Sequence, residues 1–378
     1  MVVSDTHLMA PELYEGSDLL ERALRSGDGK VSHRSRELAD ALVAEALHQR
    51  PDVLLVTGDI SMNGEYRSHL FAAQTLRRIA DAGIQVCVIP GNHDIGVFAA
   101  YDYSGEALRG TNTVDEALFA KIYADFMPGE ALAGCPLSYV VRLDGVWLLM
   151  LNTCYYDEDG PIAAGYLREG LLEEAERVFQ EARDAGAAVI CATHQSLLPH
   201  SDFKASMFSV YEGERLLDLM ARYDVRLNLS GHVHAQHLLE HEGVWDAALG
   251  GFCLSPQLYD MVTVGEDGHI RYQAQPVCGE HLPEGFAEEA RAFFIETTIA
   301  KNADSGIEDA ALAEQALALK AELNYAYFNG TLHTAAAGLD ADPIWQRLLA
   351  QEGETFFVQH LRQMIGECPE DMRTVEIE

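Results

Sequence analysis

Short apolar runs alternate with amphipathic stretches from Met1 to Gln275. Val53-Leu54-Leu55-Val56 and Val86-Cys87-Val88-Ile89 are brief, rich in β-branched residues and free of charge, the pattern of strands buried on both faces. Arg34–His48 and Glu65–Ala82 carry apolar residues at 3- and 4-residue spacing, which predicts helices, and each leads into such a run. Gly83 supplies a stop after the second. The same succession recurs at Leu167–Ala185 and Ala187–Cys191. Strands separated by helices of this length predict βαβ units with parallel pairing.

The pattern then changes. Leu137–Leu143 and Val146–Leu151 flank Asp144-Gly145, a hairpin signal. After Gly231, strand-like runs at Ala235–Glu240, Val244–Leu249, Tyr259–Val264 and His269–Gln275 are joined by short turns, so antiparallel pairing is expected there. An α/β fold with two mixed sheets packed face to face and helices outside accommodates both halves. Beyond Pro276 the strand signal stops, and Phe286–Ala300, Ile307–Phe328, Pro343–Gln351 and Thr355–Ile365 read as helices. The expected organisation is a main domain over residues 1–281 and a helical appendage over 282–378. Packing against the main domain is the default role of that appendage, and covering a site is the alternative.

Composition narrows the class. Hydrophobic residues make up 48% and charged residues 23%, so a large core is feasible and disorder is disfavoured. With 26 basic against 60 acidic residues, the net charge is −34. Such a field opposes a nucleic-acid polymer, which needs clustered Lys and Arg, and an anionic membrane surface. A small phosphate ester remains compatible where metal charge dominates locally. Seven cysteines without a C-x-x-C pair argue against a disulfide framework, and no run is long enough to span a membrane. These features favour the cytoplasm. Because only Met1-Val2-Val3 precede the first polar motif on its strand, an export signal upstream is the alternative expectation.

Five polar clusters fall where the buried strands should end: Asp5-x-His7, Gly58-Asp59, Gly91-Asn92-His93-Asp94, His194 and Gly231-His232-x-His234. In an extended segment residues i and i+2 project to one side, so Asp5 and His7 can reach a single ion, as can His232 and His234. Gly58 allows a tight turn that presents Asp59 at a strand tip, and Asn92 offers a neutral carboxamide oxygen. Asp5, His7, Asp59, Asn92, His194, His232 and His234 make seven candidate ligands. Their mixed oxygen and nitrogen donors suit Mn, Fe or Zn better than Mg or Ca, and exceed what one tetrahedral zinc requires. Two ions sharing a bridging carboxylate absorb them all.

This ordered set resembles the calcineurin-like metallophosphoesterase superfamily, and the motif Ser4-Asp5-Thr6-His7-Leu8 with a single G-N-H-D is most similar to its bacterial class III cyclic-nucleotide phosphodiesterases. The resemblance covers the stretch up to Gln275 and implies the α/β/β/α sandwich of that superfamily. It implies that Asp5, His7 and His234 hold one ion, that Asn92, His194 and His232 hold the other, and that Asp59 bridges them. His93 is then the unligated catalytic histidine, with Asp94 orienting it. The implied reaction is hydrolysis of a small phosphodiester, a cyclic nucleotide being favoured, by a metal-bridging hydroxide. A phosphomonoesterase acting on a nucleotide or sugar phosphate is the alternative, and a non-catalytic metal-binding scaffold is a third reading, disfavoured because all seven ligands and His93 are present. One departure is Gln195, where relatives often carry a second histidine after His194.

Any one of these residues alone would be read as a helix cap or a satisfied core group; the joint order and spacing make that reading poor. Weaker candidates are Tyr155-Tyr156, which could stack on a base but fit a loop anchor better, and Asn63 and His200, which lie near motif loops. Gly250-Gly251 reads as a turn, since no helix start follows it.

Overall fold

Val53–Val56 lies between Val2–Val3 and Gln85–Val88 in parallel register, with Leu55 opposite Val2 on one side and Cys87 on the other. In this computed structural model, which describes all residues except 98, 158–159, 202–204 and 352–354, those three strands form half of a six-stranded sheet. Leu258–Val264 adds antiparallel beside Val2–Val3, followed by Ile270–Pro276 and Thr374–Ile377.

A second sheet of seven strands runs in the order His237–His241, Val244–Ala248, Leu227–Ser230, Ala188–Ala192, Val146–Met150, Tyr139–Arg142 and Glu130–Ala131. Its centre is parallel: Ala188–Ala192 pairs with Val146–Met150 and with Leu227–Ser230. The hairpin at Asp144-Gly145 forms, with Gly145 at φ +74°, a conformation that suits glycine.

Side-chain alternation explains the layering. On Val53–Val56, Leu55 points into an apolar cluster with Leu148, Met150, Ile190 and Leu229 of the second sheet, while Leu54 and Val56 point the other way, into a cluster with Leu38, Leu42 and Leu76. Those last residues belong to the helices Ser35–Gln49 and Tyr66–Ala80. Leu149 and Cys191 on the far face of the second sheet meet Val178, Phe179 and Leu216 from Leu171–Ala185 and Glu214–Arg222. Two mixed sheets therefore face each other and helices cover both outer faces, as the alternation of runs predicts.

The chain after residue 281 carries the helices Phe286–Lys301, Ala310–Phe328, Pro343–Gln351 and Phe356–Glu367. Leu312, Leu348, Phe357 and Leu361 share a buried cluster with Ile270 and Tyr272 of the first sheet. The expectation that strands end at Pro276 requires correction, because Thr374–Ile377 closes the edge of that sheet against Ile270–Gln273. Among the described residues no helix is long and apolar enough to cross a membrane. All seven cysteines are free, six of them buried.

Because the parallel strands of both sheets run the same way as their neighbours, the loops after Val3, Val56, Val88, Ala192 and Ser230 emerge at carboxyl ends, where open α/β sheets place their ligands.

Candidate metal centre

The five polar clusters emerge from those loops and meet. Asp5, His7, Asp59 and His234 bring one donor atom each within 4.8 Å of one another, and Asp59, His194 and His232 form a second such group. Asp59 is common to both: its Oδ2 lies 3.5 Å from His7 Nε2 and its Oδ1 lies 3.4 Å from His194 Nε2. Asn92 joins the second group through Oδ1, 3.0 Å from His194 Nε2. All seven residues are buried.

The backbone geometry differs from the extended one expected. Asp5 (φ 52°), His7 (39°), Asp59 (48°), His232 (69°) and His234 (58°) all occupy the left-handed region. Each such residue costs about 1–3 kcal/mol and persists only where the surroundings over-determine it. Here the surroundings are explicit. The His7 amide donates to the carbonyl of Asp59, Thr6 Oγ1 donates to that of Ile60, and the His232 amide donates to Asp5 Oδ2 at 2.9 Å. Asp5 and His7 thus converge through a folded loop tip held against the neighbouring strand's loop. Close approach accounts for two of the motif glycines: a Cβ on Gly91 would sit 2.2 Å from Asp59 Oδ1, and one on Gly231 would sit 2.4 Å from Asp5 Oδ2.

Hydrogen bonds on the far side of two of the rings decide which nitrogen faces inward. His234 Nδ1 lies 2.7 Å from Asp28 Oδ2, and His194 Nδ1 lies 2.8 Å from the carbonyl of Thr57. Acceptors at Nδ1 fix the proton there and turn an Nε2 lone pair toward the cluster. Those lone pairs then confront other acceptors: Asp5 Oδ1 stands 3.1 Å from His234 Nε2, and Asn92 Oδ1 faces His194 Nε2. Asp5 Oδ1, Asp59 Oδ2 and His232 Nε2 are buried with no hydrogen-bond partner among the described residues. Buried acceptors pointed at one another without donors are unfavourable unless positive charge lies between them. A proton on Nε2 is one such charge: burial opposes protonation of His194 and His234, yet Asp59 and Asp5 beside them raise both to about 9. The same attraction serves a cation, so the donor set fits two ions.

His93 lies beside this cluster without belonging to either group, its ring 5.0 Å from that of His7. Its amide donates to Asp59 Oδ1 at 2.7 Å, and its Nδ1 bonds Asn63 Oδ1 at 2.8 Å. Burial lowers its pKa to about 4. Asn63, not Asp94, is therefore the partner that orients the ring. Asp94 instead accepts from the amides of Ile60, Ser61 and Gly91 and from Ser61 Oγ, at 2.8–3.1 Å. It ties the Gly58-Asp59 loop to the Gly91-Asn92 loop. Burial, with Asp59 nearby, pushes its pKa up to about 7.

Gln195 is buried and turned away from the donors: its Oε1 accepts from Thr153 Oγ1 at 2.6 Å. His200 bonds His237 at 3.0 Å, within a polar network that includes Asp246. Tyr156 anchors the Gly91 loop through its hydroxyl, and Tyr155 is exposed against Tyr166. Asp28 lies outside every motif, and nothing in its local sequence marks it as a partner of His234. An exposed trio, Asp218, His241 and Glu242, also lies close together, but on the surface, where acidic groups commonly cluster.

Residues 1–236 match the calcineurin-like phosphoesterase family. The chain is 29% identical over 239 residues to a protein named probable cyclic nucleotide phosphodiesterase from Synechococcus sp. (strain WH7803), covering 60% of this chain and 75% of that one. It is 25% identical over 262 residues to a protein of the same description from Rhodococcus erythropolis (strain PR4), covering 68% and 71%. Among solved structures, a dimetal phosphatase from Danio rerio superposes with a TM-score of 0.54 at 15% identity, over 73% of this chain and 95% of that one, a likeness of fold.

Proposed function

From a chain that belongs to the calcineurin-like phosphoesterase family, we propose a phosphodiesterase that hydrolyses a small phosphodiester of the cyclic-nucleotide class. The observation that carries this reading is the position of Asp59, whose two oxygens address two separate groups of buried donors. The names of the two curated relatives support the substrate class.

In this reading Asp5, His7 and His234 would hold one ion and Asn92, His194 and His232 the other, with Asp59 available to both. When bound, such a pair supplies a lowered solvent pKa and positive charge against the phosphoryl oxygens. The protein's own contribution is orientation. Thr57 and Asp28 keep the imidazole lone pairs inward, and the Asp94 bridge sets the spacing between the Asp59 and Asn92 loops. With Nδ1–H donating to Asn63 Oδ1, His93 turns Nε2 to the cavity; the negative charge of a bound phosphate offsets the burial that lowers its pKa, so Nε2 takes up a proton beside the substrate and passes it to the departing oxygen. Mn, Fe and Zn all match the mixed donor set.

Hydrolysis of matched aryl phosphate diesters and monoesters, and of a 3′,5′-cyclic nucleotide, by manganese-loaded protein tests this. The diester and the cyclic nucleotide are the expected substrates. A higher kcat/KM on the monoester would replace the reading by a phosphomonoesterase, and no turnover of any of them would leave a metal-binding scaffold.

A further inference from the structure

The cavity above the metal-ligand cluster encloses about 640 Å³, within the range of sites that take nucleotide-sized molecules. Its lining includes His93, His232 and His234 from the cluster and Thr298, Lys301, Asn302, Lys320 and Asn324 from the helices that follow the sandwich. Its charge is opposite to that of the rest of the molecule. The whole chain contains five lysines, and three of them, Lys30, Lys301 and Lys320, line this one space. The chain has 60 acidic residues, yet Asp28 is the one described carboxylate in the lining, and it is committed to His234.

Lys320 is the informative member. It sits within the helix Ala310–Phe328 at 5% exposure, donates to Asn302 Oδ1 at 2.6 Å, and lies 4.8 Å from the Phe357 ring. Among the described residues no carboxylate pairs with it, and its side-chain partner is the neutral Asn302. A buried ammonium is costly without a counter-charge, and it has three donors to place. Lys301 ends the helix Phe286–Lys301, where a cation is ordinary, but Lys320 has no such reason to be there. Burial lowers the Lys320 amine to about 8, so it stays charged at neutral pH.

We propose that Lys301, Lys320 and Asn302 form a subsite for a second phosphoryl group of the substrate, separate from the phosphodiester that is cleaved. This rests on the phosphodiesterase reading for the first group and narrows it: the preferred substrate is a nucleotide-type phosphodiester that carries a further phosphate. The helices after residue 281 thereby contribute to recognition, not only to packing.

Calorimetric titration of manganese-loaded protein with adenosine 5′-phosphate and adenosine 3′,5′-bisphosphate reads the subsite directly. The wild type is expected to bind the bisphosphate at least about tenfold more tightly, and Lys301→Gln with Lys320→Met to abolish that advantage. Equal affinities in the wild type, or an advantage that survives both substitutions, overturns the proposal. Lys301→Gln alone, at an exposed position, is expected to remove part of the advantage, which keeps the test decisive if the buried substitution perturbs folding. Aryl diester turnover by the wild type, measured alongside, separates the two claims: its absence would end the reaction reading, while the binding comparison would still decide the subsite.

Discussion

Asp28 Oδ2 lies 2.7 Å from Nδ1 of His234, a residue 206 positions further along the chain. The bond fixes the imidazole so that its other nitrogen points at Asp5 Oδ1. A carboxylate behind a ligating histidine also makes that ligand more basic. Asp28→Asn is therefore expected to weaken binding of the ion proposed for Asp5, His7 and His234 by about 10–100-fold. Manganese titration of both proteins checks this; unchanged affinity would show that the bond does not tune the ligand.

His93→Ala is expected to retain bound metal and to lose about 10²–10⁴-fold in turnover of diesters with poor leaving groups. Diesters with nitrophenolate leaving groups, which depart without a proton, should be affected far less. Asn63→Ala should reproduce part of this loss, because it frees the ring that Asn63 Oδ1 now holds. A uniform loss across leaving groups would contradict the assignment of a proton-delivering role.

Gly91→Ala places a methyl group 2.2 Å from both the Asp59 amide and Asp59 Oδ1. Neither can retreat easily, since Asp59 Oδ1 also accepts from the His93 amide. Metal binding should fall at both groups together, read as loss of metal content after dialysis, with a lower Tm. Full metal content in this variant would mean the loop has more freedom than its contacts indicate.

Asp260 is fully buried beside Tyr272, whose hydroxyl donates to Oδ1 at 2.9 Å, while Oδ2 has no hydrogen-bond partner among the described residues. Burial raises its pKa from 3.8 to about 7. The folded protein thus holds a proton that the unfolded chain releases, so this group's contribution to stability is greatest below about pH 4 and declines as pH rises toward 7. Each unit of pKa difference corresponds to about 1.4 kcal/mol. Asp260→Asn should gain Tm relative to the wild type at pH 8 compared with pH 5. A difference that does not vary with pH would refute the assignment.

The architecture was legible because its determinants are repetitive. Leu54, Leu55 and Val56 alternate between two cores, and runs like theirs recur before every polar cluster. The seven donors were legible because the cation demands residue types that strand ends seldom need. What escaped is long-range or conformational. The left-handed backbone at Asp5 and His7 comes from loops meeting across the sheet, which local spacing cannot express. Asp28 and Asn63 look like ordinary loop residues until His234 and His93 arrive beside them. Thr374–Ile377 was missed because four residues at a sheet edge carry too short a pattern, and register with Ile270–Gln273 supplies the rest. Lys320, buried with Ala316, Leu323 and Tyr327 of its helix, has a surface residue's chemistry and a buried residue's position.

The central claim is that one carboxylate serves two ions, and electron paramagnetic resonance of manganese-loaded protein with parallel metal analysis tests it most directly. The account predicts two ions per chain with a spin-coupled signal, and in Asp59→Asn the loss of that coupling together with weakened binding at both positions. One ion per chain, or two uncoupled ions whose affinities ignore the Asp59 substitution, would contradict it.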